Sequence, residues 1–235
     1  MRFVCLSCQT AHDERVSCCF VCGVPHLVVP AFARARSAAL SQLQRATAAD
    51  LVRRRMDEVR IPAAPELRLG VGALAVLWGV PGAGKSTLAV RWLASVPAPV
   101  VFFAAEEGLS VTLGERLQRC GVTRRDFHVV GQCSVDELAS VIEATKARAL
   151  CIDSLQATSL TPHDVRTLAT NLGLPLTLVV SQVNKAGELR GTNELLHEVD
   201  VGIVVEGMQW RVAKSRYQEV PPEGLTGGVS EEQRA

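Results

Sequence analysis

Aromatic residues are scarce in this sequence: six Phe, three Trp and one Tyr among 235 residues. A packed core must therefore come from Val, Leu, Ile and Ala, and a hydrophobic content of 48% supplies enough of them. Charge imbalance is also lacking. A formal net charge of +1 gives no bulk argument for nucleic acid or for a membrane surface. Long hydrophobic runs are missing too. The uncharged stretch from Leu69 to Gly84 contains Pro81 and several glycines and is too short to span a bilayer. The start, Met1-Arg2-Phe3-Val4-Cys5, lacks the apolar segment of a secretory leader. These absences predict a soluble, cytoplasmic chain with no membrane partner, large enough for one substantial domain and a small appendage.

What is present is unevenly spread. Residues 1–69 carry ten Arg against six acids, whereas residues 70–220 carry fourteen basic and fifteen acidic side chains. The basic surplus thus lies in the N-terminal third, where a thiolate zinc site would offset half of it. It hints at an anionic partner, and a solvated Arg-rich helix accounts for it equally well. Five of the eight cysteines fall within residues 5–22. In a reducing compartment, paired cysteines favour metal over disulfide.

Cys5-x2-Cys8-x10-Cys19-x2-Cys22 has the spacing of a structural zinc site, each C-x-x-C placing two sulfurs on one turn. A 26-residue segment has too small a core to fold unaided, so Zn²⁺ would contribute its folding energy. Cys18 is an alternative to Cys19, His12 or His26 could replace a ligand, and buried free thiols or disulfides are the bland alternative. Cys120, Cys133 and Cys151 read as packing residues. Residues 1–26 are therefore expected to form a zinc finger. Residues 27–65 are expected to form an Arg-rich helical segment (32–60, with Leu40, Leu43, Leu51, Met56 and Val59 near helical spacing and a Thr47/Asp50 capping box) and a Pro-containing linker, 61–65.

From residue 66 to 220, β-branched runs alternate with helical patterns. Strands are predicted at 74–78, 100–104, 127–130, 150–153 and 177–181, and helices at 85–94, 111–120, 135–148 and 163–172. Runs at 201–205 and 209–213 read as an appended hairpin. The alternation predicts an α/β fold with a largely parallel sheet. Residues 221–235, rich in Pro, Gly, Ser and Glu, read as a disordered tail.

The chemistry lies in that region. Gly79-Val80-Pro81-Gly82-Ala83-Gly84-Lys85-Ser86, followed by Thr87, fits the phosphate-loop pattern G-x-x-x-x-G-K-[ST] between an apolar strand and a helix. The glycines let backbone N–H groups turn inward around phosphates, and the helix N-terminus adds partial positive charge. Lys85 supplies a point charge at the β- and γ-phosphates of ATP, and Ser86 a hydroxyl to Mg²⁺. An unliganded Gly-rich turn is the bland alternative, and a complete motif in this context argues against it. Asp153 ends the apolar run Ala149-Leu-Cys-Ile-Asp153 and is the candidate Walker-B ligand to Mg²⁺. Val101-Phe-Phe-Ala-Ala-Glu106-Glu107 is a second apolar strand ending in carboxylate, positioned to orient and deprotonate an attacking water. Glu106 is the preferred base, Glu107 the alternative, and a pair of surface acids the bland reading.

The ordered set "GVPGAGKSTL", "FFAAEEG", "LCIDSLQA", "SQVNKAGELRGTNELLHEVD" and "RVAKSRYQ" resembles the ATPase core of the bacterial RadA/Sms family, within the RecA/DnaB superfamily. The resemblance covers residues 66–218 and a cysteine-paired N-terminus. It implies a RecA-like P-loop fold, ATP hydrolysis, binding of single-stranded or branched DNA, and a homo-oligomeric ring whose size the sequence leaves open, a hexamer being one candidate. By position, Glu106 resembles the catalytic glutamate and Gln182 the polar γ-phosphate sensor. Lys214 and Arg216 resemble the Lys-x-Arg that reaches the neighbouring subunit's nucleotide, although two exposed basic residues on an edge strand would look the same. Departures from the family are Tyr217-Gln218 where Phe-Gly is usual, the lack of tryptophans around the finger, a shortened segment between Asp153 and Ser181, and the missing Lon-protease-like C-terminal domain. Lys185 and Arg190 are candidates for a DNA-facing loop. Two other readings stand beside the DNA-processing one: a regulatory ATPase whose finger and helical segment bind a protein, and a metabolic nucleotide-dependent kinase or transferase.

Overall fold

The computed structural model describes residues 3–5, 11–12, 28–30, 47–48, 56–183, 192–221 and 225–228. The chain divides into two compact units, Met1–Arg55 and Met56–Ala235. In the first, β1 (Phe3–Cys5) pairs antiparallel with both β2 (Ala11–His12) and β3 (Val28–Pro30). Of the expected zinc ligands only Cys5 lies on a described element. Cys8, Cys19 and Cys22, their alternative Cys18, and most of the expected Arg-rich helix lie outside the described residues.

The second unit begins with a small antiparallel pair, β4 (Glu58–Val59) and β5 (Leu69–Gly70). This corrects the helical reading of 58–60. Val59 is β-branched and Pro62 follows closely, which disfavours helix. Arg68 instead reaches across to Glu58 at 2.6 Å. Between the two strands, Ile61, Ala64 and Leu67 are buried in the main core. The prolines of this stretch fix a packed arm.

The central sheet follows, ordered β13-β12-β11-β6-β10-β9-β7-β8. Its strands are β6 (Ala73–Gly79), β7 (Val100–Ala104), β8 (Phe127–Val130), β9 (Ala149–Asp153), β10 (Leu176–Gln182), β11 (Val201–Glu206), β12 (Gln209–Ser215) and β13 (Leu225–Gly228). The strands from β8 to β11 pair in parallel; β12 and β13 are antiparallel additions. The helices are α1 (Lys85–Ser95), α2 (Val111–Arg119), α3 (Val135–Thr145), α4 (Pro162–Asn171) and α5 (Thr192–Glu198). The fold is the α/β class expected.

Strand alternation divides the core into two layers. Ala73, Ala75 and Leu77 of β6 pack with Leu88, Ala89, Trp92 and Leu93 of α1. Leu74 and Val76 face the opposite layer with Leu138 and Ile142 of α3 and Val165 and Leu168 of α4. Trp92 meets Trp210 of β12 edge-on, ring centroids 5.5 Å apart at 88°, a pairing worth about 1 kcal/mol beyond the buried area. Two of the ten aromatic residues thus pin the antiparallel extension to α1.

Several boundaries depart from the sequence reading for local reasons. Helix α3 stops at Thr145, not 148, because Lys146 adopts a left-handed φ of 53° and the chain turns into β9. Gly207 and Met208, φ 57° and 70°, form a two-residue turn between β11 and β12, which suits the twist of a tight hairpin. Leu225–Gly228, within the stretch read as tail, pairs with β12; a Cβ on Gly227 would stand 2.3 Å from the Trp210 ring, so only glycine permits this approach.

Candidate nucleotide site

The parallel strands all end on one edge of the sheet, and there the chain departs into the functional loops. After β6, residues 79–84 turn back over the start of α1. Gly82 and Gly84 have φ of 79° and 92°, values an L-side chain rarely adopts. At Gly84 a Cβ would also lie 2.4 Å from the Met208 sulfur. The β11–β12 turn therefore buttresses the loop from outside, reinforced by a hydrogen bond from Met208 N–H to Ala83 O at 3.1 Å.

Lys85 is buried, 8% exposed, with its ammonium donating to the carbonyls of Gly79 and Val80, each at 2.9 Å. Burial lowers its pKa, and the negative charges of Asp153 and Glu106 oppose that shift. Asp153, at the end of β9, is 4% exposed. Desolvation raises its pKa to about 6, although the Ser86 hydroxyl hydrogen-bonds to it and Arg116 lies nearby. A buried carboxylate bound to Ser86, with an ammonium alongside, is short of positive charge. A magnesium ion carrying phosphate oxygens fits that donor set. Ser86 and Asp153 would hold the ion, with Lys85, Thr87 and the backbone of residues 79–84 around the phosphates.

The two neighbouring glutamates part company. Glu106 accepts from the Ser154 hydroxyl at 2.6 Å and from the Gln182 amide at 3.1 and 3.2 Å. Its backbone N–H donates to Asp153 O at 3.1 Å, which ties β7 to the end of β9. Glu107 is engaged by Arg116 of α2 and by Thr112. The cavity they share is about 230 Å³, lined by Lys85, Ser86, Glu106, Asp153 and Gln182 among others. Glu106, Asp153 and Gln182, expected from sequence to act together, do converge on Lys85. Ser154 and Arg116 also line the cavity, Gln156 stands behind Gln182, and none of the three was singled out. The serine directly after Asp153 could have been flagged; Arg116 sits in an ordinary amphipathic helix and carries no signal.

Lys214 and Arg216 are elsewhere. Since β12 runs antiparallel, Lys214 pairs with Gly202 and Ser215 with Val201, at the start of β11 and not at its loop end. Arg216 is level with Asp200 and Leu74, five residues back from Gly79, roughly 16 Å at 3.3 Å per residue. Lys214 donates to Leu196 O and to Val199 O, the latter at 2.8 Å. Arg216 donates to Asp200 at 3.0 Å and to His197 O at 2.7 Å. Both cations therefore sit on the C-terminal end of α5, whose carbonyls favour positive charge. Asp200, 6% exposed, also accepts from Arg166 at 2.9 Å and from Leu74 N–H at 2.9 Å. Lys185 and Arg190 lie outside the described residues.

Comparison with known proteins follows this pattern. No family model matches the chain. Curated relatives do. The DNA repair protein RadA of Bacillus subtilis is 26% identical over 66% of this chain and 40% of its own length. The chain is RadA-like. RadA of Chlamydia trachomatis is 29% identical over 58% of this chain and 34% of its own, and RadA of Escherichia coli 25% identical over 58% and 33%. The RadA-like chain thus spans about a third to two-fifths of the length of these relatives. Among the described residues no helix is long and apolar enough to cross a membrane, and no cluster of three or more His, Cys, Asp or Glu is placed to hold a metal.

Proposed function

We propose that this chain is an ATP hydrolase that binds DNA and acts in recombination or repair as an oligomeric ring. The observation that carries the reading is the convergence of Lys85, Asp153, Glu106 and Gln182 on one cavity at the edge of a parallel sheet. In this reading Lys85 neutralises the β- and γ-phosphates, and Ser86 and Asp153 hold Mg²⁺. Glu106 takes the proton of the attacking water while Gln182 orients it against the γ-phosphate. The pairing of Glu107 with Arg116 supports Glu106 as the base.

Lys214 and Arg216 act on the nucleotide of a neighbouring copy. Their support is position: level with Val76 and Leu74, Lys214 and Arg216 stand about 10 and 16 Å back along the sheet from Gly79 and do not reach their own phosphate loop while they are bound to α5. Cys5, Cys8, Cys19 and Cys22 bind one Zn²⁺. DNA phosphates are contacted by the Arg-rich 32–60 stretch or by Lys185 and Arg190, and the protein works in the cytoplasm. The name DNA repair protein, borne by the relatives in three different bacteria, supports the DNA part.

The test is ATP turnover with and without single-stranded DNA, with binding measured across a salt series. DNA should stimulate turnover, and affinity should fall steeply with salt as phosphate contacts release counterions. Turnover without any DNA binding at low salt, in the presence of a nonhydrolysable ATP analogue, would instead identify a regulatory ATPase with a protein partner.

A further inference from the structure

Strand β10 is held on both sides for only part of its length. On one side it pairs with β6 through to Gln182 opposite Gly79. On the other, pairing with β9 ends at Val179 opposite Ile152, after which β9 stops at Asp153 and turns away. The last three residues of β10, Val180 to Gln182, thus reach the catalytic edge with β6 on one side and no strand on the other. Gln156, in the single 3₁₀ turn Leu155–Ala157, takes that place. Its carboxamide oxygen accepts from Gln182 N–H at 3.3 Å, and its NH₂ donates to the Ser181 hydroxyl at 2.6 Å. Gln182 in turn donates to both oxygens of Glu106.

We propose that Gln156 is a positioning residue for hydrolysis: its carboxamide replaces the missing ladder, fixes the end of β10 and so aims Gln182 at Glu106. The proposal rests on the reading of this site as an ATP hydrolase. Gln156 does not line the phosphate cavity and so contributes nothing to nucleotide affinity. An exposed residue retained in this conformation by two hydrogen bonds to the backbone and side chain of the next strand makes the turn after Asp153 part of the catalytic geometry. Any displacement of that turn is passed to Gln182 without passing through the phosphate loop.

The experiment is steady-state ATP turnover by Gln156→Met, Gln182→Ala and the double variant, in the full chain. Gln156→Met keeps the side-chain length and removes both hydrogen bonds. It should lower kcat about tenfold, the factor that corresponds to losing one ordinary hydrogen bond from the transition state. KM for ATP and the melting temperature should stay at their wild-type values. Because Gln156 acts through Gln182, the double variant should be no slower than Gln182→Ala alone. Gln156→Asn, one methylene too short to span both partners, should share the kcat loss. Wild-type kcat in Gln156→Met or Gln156→Asn, or losses that multiply in the double variant, would overturn the proposal. Failure of the wild-type chain to hydrolyse ATP is a different result, and it removes the hydrolase reading itself.

Discussion

Arg216 and Asp200 are joined twice: the guanidinium donates to Oδ1 at 3.0 Å, and the Arg216 backbone N–H donates to the Asp200 carbonyl at 3.0 Å. Side chain and main chain together fix where the chain leaves β12. The two partners differ in exposure, 52% for the Arg216 side chain against 8% for Asp200, and their substitutions should differ accordingly. Asp200→Ala leaves the Leu74 N–H without its side-chain acceptor and takes the carboxylate from Arg166 and Arg216, which keep only carbonyl partners, and should destabilise by about 3 kcal/mol. Arg216→Ala, at an exposed position, should cost less than about 1 kcal/mol. Urea unfolding of the two variants checks this. Arg216→Ala should bind ATP yet hydrolyse it about 10³-fold more slowly, as expected for a cation presented at a neighbour's γ-phosphate. Mixed with Lys85→Ala after subunit exchange, it should recover part of the activity, since some interfaces then join an intact cradle to an intact finger. Two variants that stay inactive together would remove the shared-site model.

The buried Asp153 makes a pH prediction. Its pKa of about 6, against 3.8 for the ordinary group, means that the folded chain holds the proton more tightly than the unfolded chain. The stabilisation from that proton is full below about pH 4 and is lost as pH rises through about 6. At neutral pH the nucleotide-free protein therefore carries a cost of about 3 kcal/mol at this residue. Asp153→Asn should raise the melting temperature of the nucleotide-free protein at pH 7.5 and abolish Mg²⁺-dependent turnover. In the wild type, Mg²⁺ affinity should weaken as pH falls below 6. A lower melting temperature for Asp153→Asn would show that the ionised group is not penalised.

Metal content tests the N-terminal unit. Protein purified without chelator should carry about one zinc per chain, and chelation should unfold the N-terminal unit. Cys19→Ser should release the metal and Cys18→Ser should not. Stoichiometric zinc in Cys19→Ser but not in Cys18→Ser would exchange the two assignments. Zinc-free protein would remove the site.

The sequence showed the phosphate loop and the strand-ending acids because each is a local pattern: a glycine spacing, or a carboxylate closing an apolar run. Strand alternation likewise gave β6 to β10 within a residue or two. What it hid depends on distance in the chain. Ser154 meets Glu106 from 48 residues away, and nothing in the run of residues 103–107 announces it; Gln182, 76 residues away, was brought to the site by the family resemblance and not by any local pattern. The choice between Glu106 and Glu107 was open for the same reason; Arg116, nine residues on, engages the second. Asp200 read as one acid in "LLHEVD" until its partners Arg166 and Arg216 appeared on either side. The strand at 225–228 was masked by its glycines, which signal a loop unless a tryptophan waits opposite.

The central claim is that ATP is hydrolysed at this site with Glu106 as the base, and comparison of Glu106→Gln with Glu107→Gln tests it most directly. Both variants, with affinity for a nonhydrolysable ATP analogue measured beside turnover, keep the shape of the pocket and remove one negative charge each. Glu106→Gln should bind the analogue as the wild type does and lose at least about 10²-fold in kcat, because an amide cannot accept the proton of the attacking water. Glu107→Gln, which only weakens the contact with Arg116, should stay within about fivefold of wild type, in the range expected when one partially exposed ion pair is lost. Near-wild-type turnover by a folded Glu106→Gln, or the large loss falling on Glu107→Gln instead, would contradict the account.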